Sequence, residues 1–493
     1  MALDIVIMAA GIGSRMKSAR PKVLHKLAGR SLLRHVLDAA AGLDADGIVV
    51  VTGHGAEQVQ AEVEATVAAA APRAAPVPAA DASAASASTL ARAKVVQCVR
   101  QAPQLGTGHA VLQAVPLLHE SGTTLILNGD VPLIQTATAR ALIESCGGTR
   151  LALLTIELTD PSGYGRVVRG DPAGRSALEG GRIHGIVEHK DATPLQRQIR
   201  EVYTGVMAAP TADLKRWLAA LTNTNAQGEY YLTDIVAMAV AEGVRVTATA
   251  AARETEVLGV NSPVQLADLE RRFQRRQAHA LLEAGVRLAD PTRLDVRGEL
   301  VCAMDVEIDV NCVFEGRVEL GERVRIGANC MLRNVSIGND AVIHPFTHID
   351  GDALGASVGA GASIGPFARL RPGAQLAQDV HIGNFVEVKN ATLARGAKAN
   401  HLAYIGDASI GERVNFGAGS IVANYDGVNK HRTVIGNDVH VGSNCVLVAP
   451  LTLGDGATVG AGSAIGKDAP AGQLTVARAR QVSLAGWKRP KKS

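Results

Sequence analysis

Apolar residues recur at every sixth position through the C-terminal third of this chain. Ile308, Phe314, Leu320, Ile326 and Leu332 keep one run, and Ile364, Leu370, Leu376, Ile382 and Val388 a second. Ile435, Val441, Leu447, Leu453, Val459 and Ile465 keep a third. Small residues follow many of them, as in Ile326-Gly327, Ile382-Gly383 and Val459-Gly460. A period of six matches neither the 3.6 of an amphipathic helix nor the 2 of a half-buried strand. It matches a parallel β-helix, in which each short strand turns one apolar side chain inward and Gly, Ala, Asn or Asp makes the corner. Such coils bury their apolar side chains only against neighbouring coils, so the repeats must stack. The pattern predicts this architecture from about 300 to 470.

The first 260 or so residues read differently. Ile5-Val6-Ile7-Met8, Ile48-Val49-Val50-Val51, Leu125-Ile126-Leu127 and Leu151-Ala152-Leu153-Leu154 are continuous apolar runs, as strands buried on both faces of a parallel sheet are. Helix-like stretches lie between them, Leu32 to Ala41 and His109 to His119 among them. An α/β domain with a doubly wound sheet is predicted. Residues 66–94 are rich in Ala, Pro and Ser and predict a disordered surface insertion. From 262 to 284 a single long helix is expected, with Leu266, Leu269, Phe273 and the Ala280-Leu281 pair as its apolar stripe and charge elsewhere. It would link the domains, although a coiled-coil partner would suit the same stripe. The organisation predicted is therefore a first domain over 1–261, a linker helix over 262–284, a β-helix over 285–480 and a basic tail over 481–493.

Composition agrees. A chain of 493 residues exceeds one ordinary domain, and 52 Gly with only 3% aromatic residues suit a solenoid of tight coils. A net charge of +3 gives no nucleic-acid footprint. The six cysteines show no metal-like spacing and read as reduced thiols of a cytoplasmic protein. No stretch is apolar enough to span a membrane, and the run from Leu3 to Ala10 contains Asp4 and reads as a strand, not a signal peptide.

Directly after the first strand comes Met8-Ala9-Ala10-Gly11-Ile12-Gly13-Ser14-Arg15-Met16. Gly11 and Gly13 would let backbone N–H groups approach a polyphosphate, with Arg15 and the nearby Lys22 supplying charge. It is neither a dinucleotide fingerprint nor a Walker A loop, and by itself a plain strand-to-helix turn explains it as well. Asp130 follows a buried strand at the carboxyl edge, where doubly wound sheets bind ligands; alone, it also reads as a turn residue.

Together these residues resemble the signature of the sugar-1-phosphate nucleotidylyltransferases, Ala-Ala-Gly-x-Gly-Ser/Thr-Arg-Met followed by Pro21-Lys22-Val23. Further segments occur in order: Gln101-Ala-Pro-Gln104-Leu-Gly-Thr-Gly-His109, Gly129-Asp130-Val-Pro-Leu, Gly163-Tyr-Gly165-Arg, Ile186-Val-Glu188-His-Lys, Gln227-Gly-Glu-Tyr-Tyr-Leu-Thr-Asp234 and Gly259-Val-Asn261. With the hexapeptide half, the chain resembles the bacterial bifunctional family of N-acetylglucosamine-1-phosphate uridylyltransferases and glucosamine-1-phosphate N-acetyltransferases over nearly its whole length. The resemblance implies a left-handed β-helix, a cytoplasmic homotrimer, and UTP, acetyl-CoA, glucosamine-1-phosphate and N-acetylglucosamine-1-phosphate as substrates, with neither nucleic acid nor membrane as partner. It implies UDP-N-acetylglucosamine as product, for peptidoglycan, lipopolysaccharide and the cell wall.

Roles follow from the resemblance where residues match. Ala9, Ala10, Gly11, Gly13 and Arg15 would hold UTP, Lys22 would contact phosphate, and Gln101, Gly106 and Thr107 would read the uracil. Asp130 and Asn261 would bind Mg²⁺ beside Gly129; Gly165 and Glu188 would contact the sugar. Three positions depart from the family: Ile12 where relatives often carry Lys, Asn128 in place of an aromatic residue, and Tyr203 in place of an Asn near the sugar.

The β-helix pattern breaks twice, at Asn400-His401-Leu402-Ala403-Tyr404 and at Ala423 to Lys430, where binding loops are expected. The resemblance makes His401 the general base that takes a proton from the amino group of glucosamine-1-phosphate, a task suited to a side chain that titrates near neutrality. Arg371 and Lys389 would clamp the sugar phosphate, Tyr404 and Asn415 would contact the sugar, and Glu387 would orient a catalytic group. Asn424 and Tyr425 would lie against sugar and acetyl-CoA; Ala418, Ser443, Ala461 and Arg478 would contact acetyl-CoA. Two other readings stand beside this one. A nucleotidylyltransferase could carry the β-helix for assembly or regulation only, but would have no need to keep Arg371, Lys389, His401 and Tyr404 together. A non-catalytic binding module would have no need for Gly11, Arg15, Lys22, Asp130 and Asn261.

Overall fold

The computed structural model describes residues 1–70, 96–170 and 181–489. Two compact units divide the chain, Met1–Arg272 and Phe273–Ser493. The division falls inside a single helix, Pro263–Glu283.

In the first unit nine strands form one sheet. They are β1 (Leu3–Ala9), β2 (Gly47–Thr52), β3 (Val96–Arg100), β4 (Thr123–Asn128), β5 (Leu151–Glu157), β6 (Gly165–Arg169), β7 (Ile183–Val187), β8 (Glu201–Pro210) and β9 (Val246–Ala250). Across the sheet they run β9-β5-β8-β4-β1-β2-β3, with β6 paired to β8 and β7 paired to β6. The continuous apolar runs are buried as expected: Ile5, Val50, Leu125 and Leu153 are fully buried between apolar layers on both faces. The sheet is mixed, however, and the expected parallel arrangement holds only in part. β8 runs antiparallel to both β4 and β5, and β6 and β7 form an antiparallel pair.

Helices α1 (Leu32–Ala41), α2 (Ala56–Ala70), α3 (Thr107–Ala114), α4 (Thr136–Cys146), α5 (Thr211–Ala220) and α6 (Asp234–Ala241) cover the sheet. The Ser31 hydroxyl caps α1 by accepting from the Arg34 amide at 3.0 Å. The Ala-rich stretch does not begin at 66. α2 carries on through Ala70, because Ala is the strongest helix former and Val59, Val63 and Thr66 are buried. The rest of the expected insertion, 71–94, lies outside the described residues, as does the end of the basic tail.

α7 (Pro263–Glu283) is the expected long helix. In its first half, Glu270 accepts from the Ala28 amide at 2.7 Å. In its second half, the buried Gln274 side chain bonds Val296 twice, donating to its carbonyl at 2.9 Å and accepting from its amide at 2.8 Å. Its buried stripe is Leu269, Phe273 and Ala278, with Ala280 exposed. The helical spacing of four or five residues explains the change, since Ala280 is turned off that stripe.

The second unit is a left-handed parallel β-helix. Parallel strands stack coil on coil in register, as Ile364 on Ile382 and Leu370 on Val388. All sixteen residues of the six-residue beat are buried. Each coil turns its corners through left-handed residues that stack in columns: Asn311, Asn329, Phe346, Phe367, Phe385 and Leu402 form one. Most coils take 17 or 18 residues, as Asn311 to Asn329 to Phe346; Phe346 to Phe367 takes 21 and Gly419 to Asn444 takes 25. The stretch 400–404 therefore does not interrupt the solenoid. Phe385 to Leu402 is an ordinary coil of 17, one residue short of a full three hexapeptides, which shifts the beat without releasing a loop. The break at 423–430 is real, and falls in the coil of 25.

Because each inward side chain is covered only by its neighbours, truncating one opens a cavity that the coil cannot close. Leu370→Ala should lower the unfolding free energy of the β-helix by about 2–5 kcal/mol, against about 0.5 or less for the exposed Val434→Ala. Denaturant melts followed by circular dichroism measure the difference.

Candidate active sites

In the first unit the carboxyl ends of β1 and β4 open into a cavity of about 410 Å³. Ala9, Ala10, Gly11, Lys22, Gln101, Gly106, Thr107 and Asp130 all line it, with Ile12 and Asn128. Gly13 sits behind the loop at φ 65°, where a Cβ would fall 2.7 Å from that of Lys22, so glycine alone fits. Arg15 is exposed on the turn Ser14–Met16, whose Met16 is buried, and does not line the cavity. Gln101 is buried and donates to the Gly106 carbonyl at 2.9 Å, while the Thr107 hydroxyl accepts from the Leu232 amide at 3.0 Å. The glycine turn before α3 is thereby pinned. Gly129 closes against β1, its amide donating to the Met8 carbonyl at 2.9 Å.

Two oxygens from distant parts of the chain converge here. The Lys22 ammonium donates to an Asp130 carboxylate oxygen and, at 3.1 Å, to the Asn261 side-chain oxygen. The Asp130 carbonyl accepts from the Val260 amide at 2.9 Å, which fixes the Asn261 segment beside Asp130. One carboxylate and one neutral oxygen already gathered round a cation are a donor set that fits a divalent ion completed by phosphate oxygens and water.

A second cavity, about 200 Å³, adjoins the first through Met8, Thr107 and Asn128. Gly165, Glu188, Tyr203 and Thr233 line it. Glu188 follows β7 and accepts from the Thr233 hydroxyl at 3.0 Å. Burial pushes its carboxyl above the usual range, and Asp234, Asp191 and Glu229 add to the shift.

In the β-helix, His401, Ala418, Ser443 and Ala461 occupy the same corner of successive coils. Each carbonyl of the first three accepts from the coil above: His401 from Gly419 at 3.2 Å, Ala418 from Asn444 at 2.8 Å, Ser443 from Gly462 at 2.8 Å. Arg478 reaches the same column, donating to the Ala461 carbonyl at 2.7 Å. The exposed His401 ring donates through Nδ1 to the Asn384 side-chain oxygen at 2.7 Å, on the preceding coil. That bond fixes the tautomer and leaves Nε2 with its lone pair outward.

Round the next corner, Arg371 donates to Glu387 at 2.8 Å, and Arg369 shares that carboxylate at 3.4 Å. Glu387, expected to orient a catalytic group, thus holds Arg371, and the partner on His401 is Asn384. Tyr404 pairs with Glu387 across coils. Lys389 has its pKa lowered by the Lys430 side chain beside it, by partial burial and by Arg371. Asn424 donates to the buried Asp407 carboxylate, which also accepts from Asn390 at 2.5 Å. Tyr425 stands exposed on the loop, its hydroxyl donating to the Gly427 carbonyl at 2.5 Å. Asn415 lies further along, donating to His440 at 3.4 Å.

The sequence reading missed three of these residues: Asn384, Asp407 and Lys430. Lys430 carries a signal, since it ends the loop that the broken beat had marked. Asn384 and Asp407 carry none, because their partners lie one coil away, 17 residues along.

Fold and sites define a nucleotidyltransferase joined to a hexapeptide acyltransferase. Residues 5–167 match the MobA-like NTP transferase domain. Residues 432–467 match the bacterial transferase hexapeptide and 317–344 the hexapeptide repeat of succinyl-transferase. The bifunctional protein GlmU of Methylibium petroleiphilum is 70% identical over 99% of both chains. That of Albidiferax ferrireducens is 62% identical over 99% of this chain and all of its own, and that of Aromatoleum aromaticum 54% over 99% of both. The chain belongs to the bifunctional GlmU family, and it is a transferase of two activities, uridylyl transfer and acetyl transfer. Among the described residues no helix is long and apolar enough to cross a membrane.

The raised Glu188 carboxyl has a signed consequence for stability. A carboxyl harder to ionise when folded penalises the native state once the pH exceeds its unfolded value, and not below it. Glu188→Gln should therefore raise the melting temperature at pH 7, with the gain gone near pH 4. Thermal melts across that range check the sign.

Proposed function

We propose that the β-helix unit acetylates glucosamine-1-phosphate with acetyl-CoA and that the first unit then couples N-acetylglucosamine-1-phosphate to UTP, releasing pyrophosphate and UDP-N-acetylglucosamine. The observation that carries the acetyl step is the corner column of His401, Ala418, Ser443 and Ala461. Along it a thioester can lie end to end with the base. The amine of glucosamine-1-phosphate yields its proton to His401 Nε2, held in the right tautomer by Asn384. The amine attacks the thioester carbonyl, and the CoA thiolate leaves. Arg371, Lys389 and Lys430 converge from adjacent coils and one loop to hold the sugar phosphate.

In the first unit the acceptor phosphate attacks the α-phosphorus of UTP. Two anions must meet, so the site supplies charge more than a base. Lys22 and the glycine loop carry phosphate, and Gln101, Gly106 and Thr107 form the wall for the uracil. Asp130 and Asn261 would hold Mg²⁺, which when bound polarises phosphate oxygens and neutralises the leaving pyrophosphate. Both substrates of this chemistry are cytoplasmic metabolites, and the reading places the protein there.

A homotrimer is part of the same reading. Phe346, Phe367 and Phe385 stack at 5.0 and 5.5 Å along one corner, and with Leu402 they form an exposed apolar column directly beside Asn384 and His401. A second copy laid there would wall the acetyl site.

The two sites separate by mutation. His401→Ala should reduce acetyl transfer at least about 100-fold and leave uridylyl transfer intact; Asp130→Ala should do the reverse. Thiol and pyrophosphate release, measured on each variant with its melting temperature, check this; either change abolishing both activities in a folded protein would sink the reading.

A further inference from the structure

Another cavity of the first unit, about 730 Å³, shares none of its described lining residues with the two cavities above. It lies where the start of β7, the end of α6 and the start of β9 meet. Among the described residues every ionisable side chain that lines it is basic: Arg169, Arg182, His184 and Arg245. The whole chain carries a net charge of only +3, so positive charge is concentrated here.

The four basic residues differ in their partners. Arg169 is occupied. Its guanidinium donates to both Glu201 carboxylate oxygens, at 2.6 and 2.8 Å, and to the Gly181 carbonyl at 3.0 Å. The backbone of Arg182 is held in turn, its carbonyl accepting from the Gly170 amide at 3.2 Å. His184 stands two residues on and so shares a side of the strand with Arg182, while the buried Ile183 between them belongs to the core layer. Across the cavity the Arg245 carbonyl accepts from the Leu151 amide at 3.1 Å, and the turn before it closes through the Val244 amide on the Ala239 carbonyl at 2.8 Å. Glu242, which neighbours the lining Gly243, is taken by Arg216. The side chains of Arg182 and Arg245 have neither an ion pair nor a hydrogen bond among the described residues.

Two unpaired guanidiniums and an imidazole on a fixed backbone repel cations and attract anions. The planar fork of arginine matches a phosphate bidentately. The half-buried Val240, Val244 and Val246 add an apolar wall beside these charges. The volume falls within the range of about 300–1,000 Å³ that small-molecule sites occupy. Charges gathered round one concavity with an apolar wall suit a compact molecule with an anionic head and an uncharged body better than a polymer.

We infer that this cavity is an anion site separate from both transferase sites, and that it takes a small phosphate-bearing organic molecule. Arg182 and Arg245 hold the phosphate, His184 stands beside it, and the three valines cover the uncharged body. The inference does not depend on the proposed reading of either active site.

The test is calorimetric titration of the full chain carrying Lys22→Ala and Lys389→Ala, which remove a phosphate contact from each proposed active site. The probes are adenosine 5′-monophosphate, inorganic phosphate and a tetraglutamate peptide, at constant ionic strength. Adenosine monophosphate should saturate one site per chain. Adding Arg182→Ala or Arg245→Ala should weaken that binding about tenfold each, and Arg245→Lys should weaken it less. Both arginines are exposed, so the melting temperature should hold. Inorganic phosphate, lacking a body to lie on the valines, should bind at least about tenfold more weakly. No saturable binding, or binding indifferent to both arginines, overturns the site. Equal affinity for inorganic phosphate overturns the organic ligand, and tighter binding of tetraglutamate overturns the phosphate.

Discussion

An inward apolar side chain at every sixth residue, which only the next coil can cover, is the constraint from which the C-terminal unit is built. The coils of a parallel β-helix sit about 4.8 Å apart, so a residue at one corner is repeated above and below by whatever occupies that corner. Ile364, Ile382, Leu370 and Val388 supply the cohesion. The corner residues then come for free as ordered columns. His401, Ala418, Ser443 and Ala461 form such a column without any loop of their own, and Asn384 reaches His401 only because it lies one coil below. Packing thereby provides the pre-organisation that acyl transfer needs. The longer of the two enlarged coils, Gly419 to Asn444, carries the loop 423–430 where Asp407 can anchor it through Asn424.

The first unit solves a different problem. Its chemistry brings anions together, and its residues come from loops at the carboxyl ends of several strands. Lys22, Asp130 and Asn261 are far apart in the chain and are joined by hydrogen bonds. The antiparallel strand β8 carries Tyr203 to the side of Asn128 and Gly165. This unit stores unfavourable terms at its smaller cavity, where Glu188 is buried with a raised pKa and the Tyr203 hydroxyl has no partner among the described residues. Such groups lower stability and are retained where a ligand satisfies them.

Legibility in the sequence followed the length scale of the interaction. The six-residue beat is set by one coil's own geometry, so every one of its members was found and is buried. Residues 5–8, 48–51, 125–127 and 151–154 were recognisable as strands because both faces are covered. Strand direction was not: a run such as Glu201–Pro210 looks the same whether it pairs parallel or antiparallel. The apparent break at 400–404 misled because deleting one residue at a corner shifts the beat as strongly as inserting a loop. Lys22, Asp130 and Asn261 could be named through family motifs, but their meeting at one point could not be read from spacing. Asn384 and Asp407 were invisible because each acts on a residue of the neighbouring coil.

The central claim is that one chain carries two separate transferases. It is tested most directly by measuring, on the purified full chain, thiol release from acetyl-CoA with glucosamine-1-phosphate beside pyrophosphate release from UTP with N-acetylglucosamine-1-phosphate and Mg²⁺. The account predicts both signals, each dependent on its own acceptor. Pyrophosphate without thiol would leave the β-helix a scaffold and contradict the account.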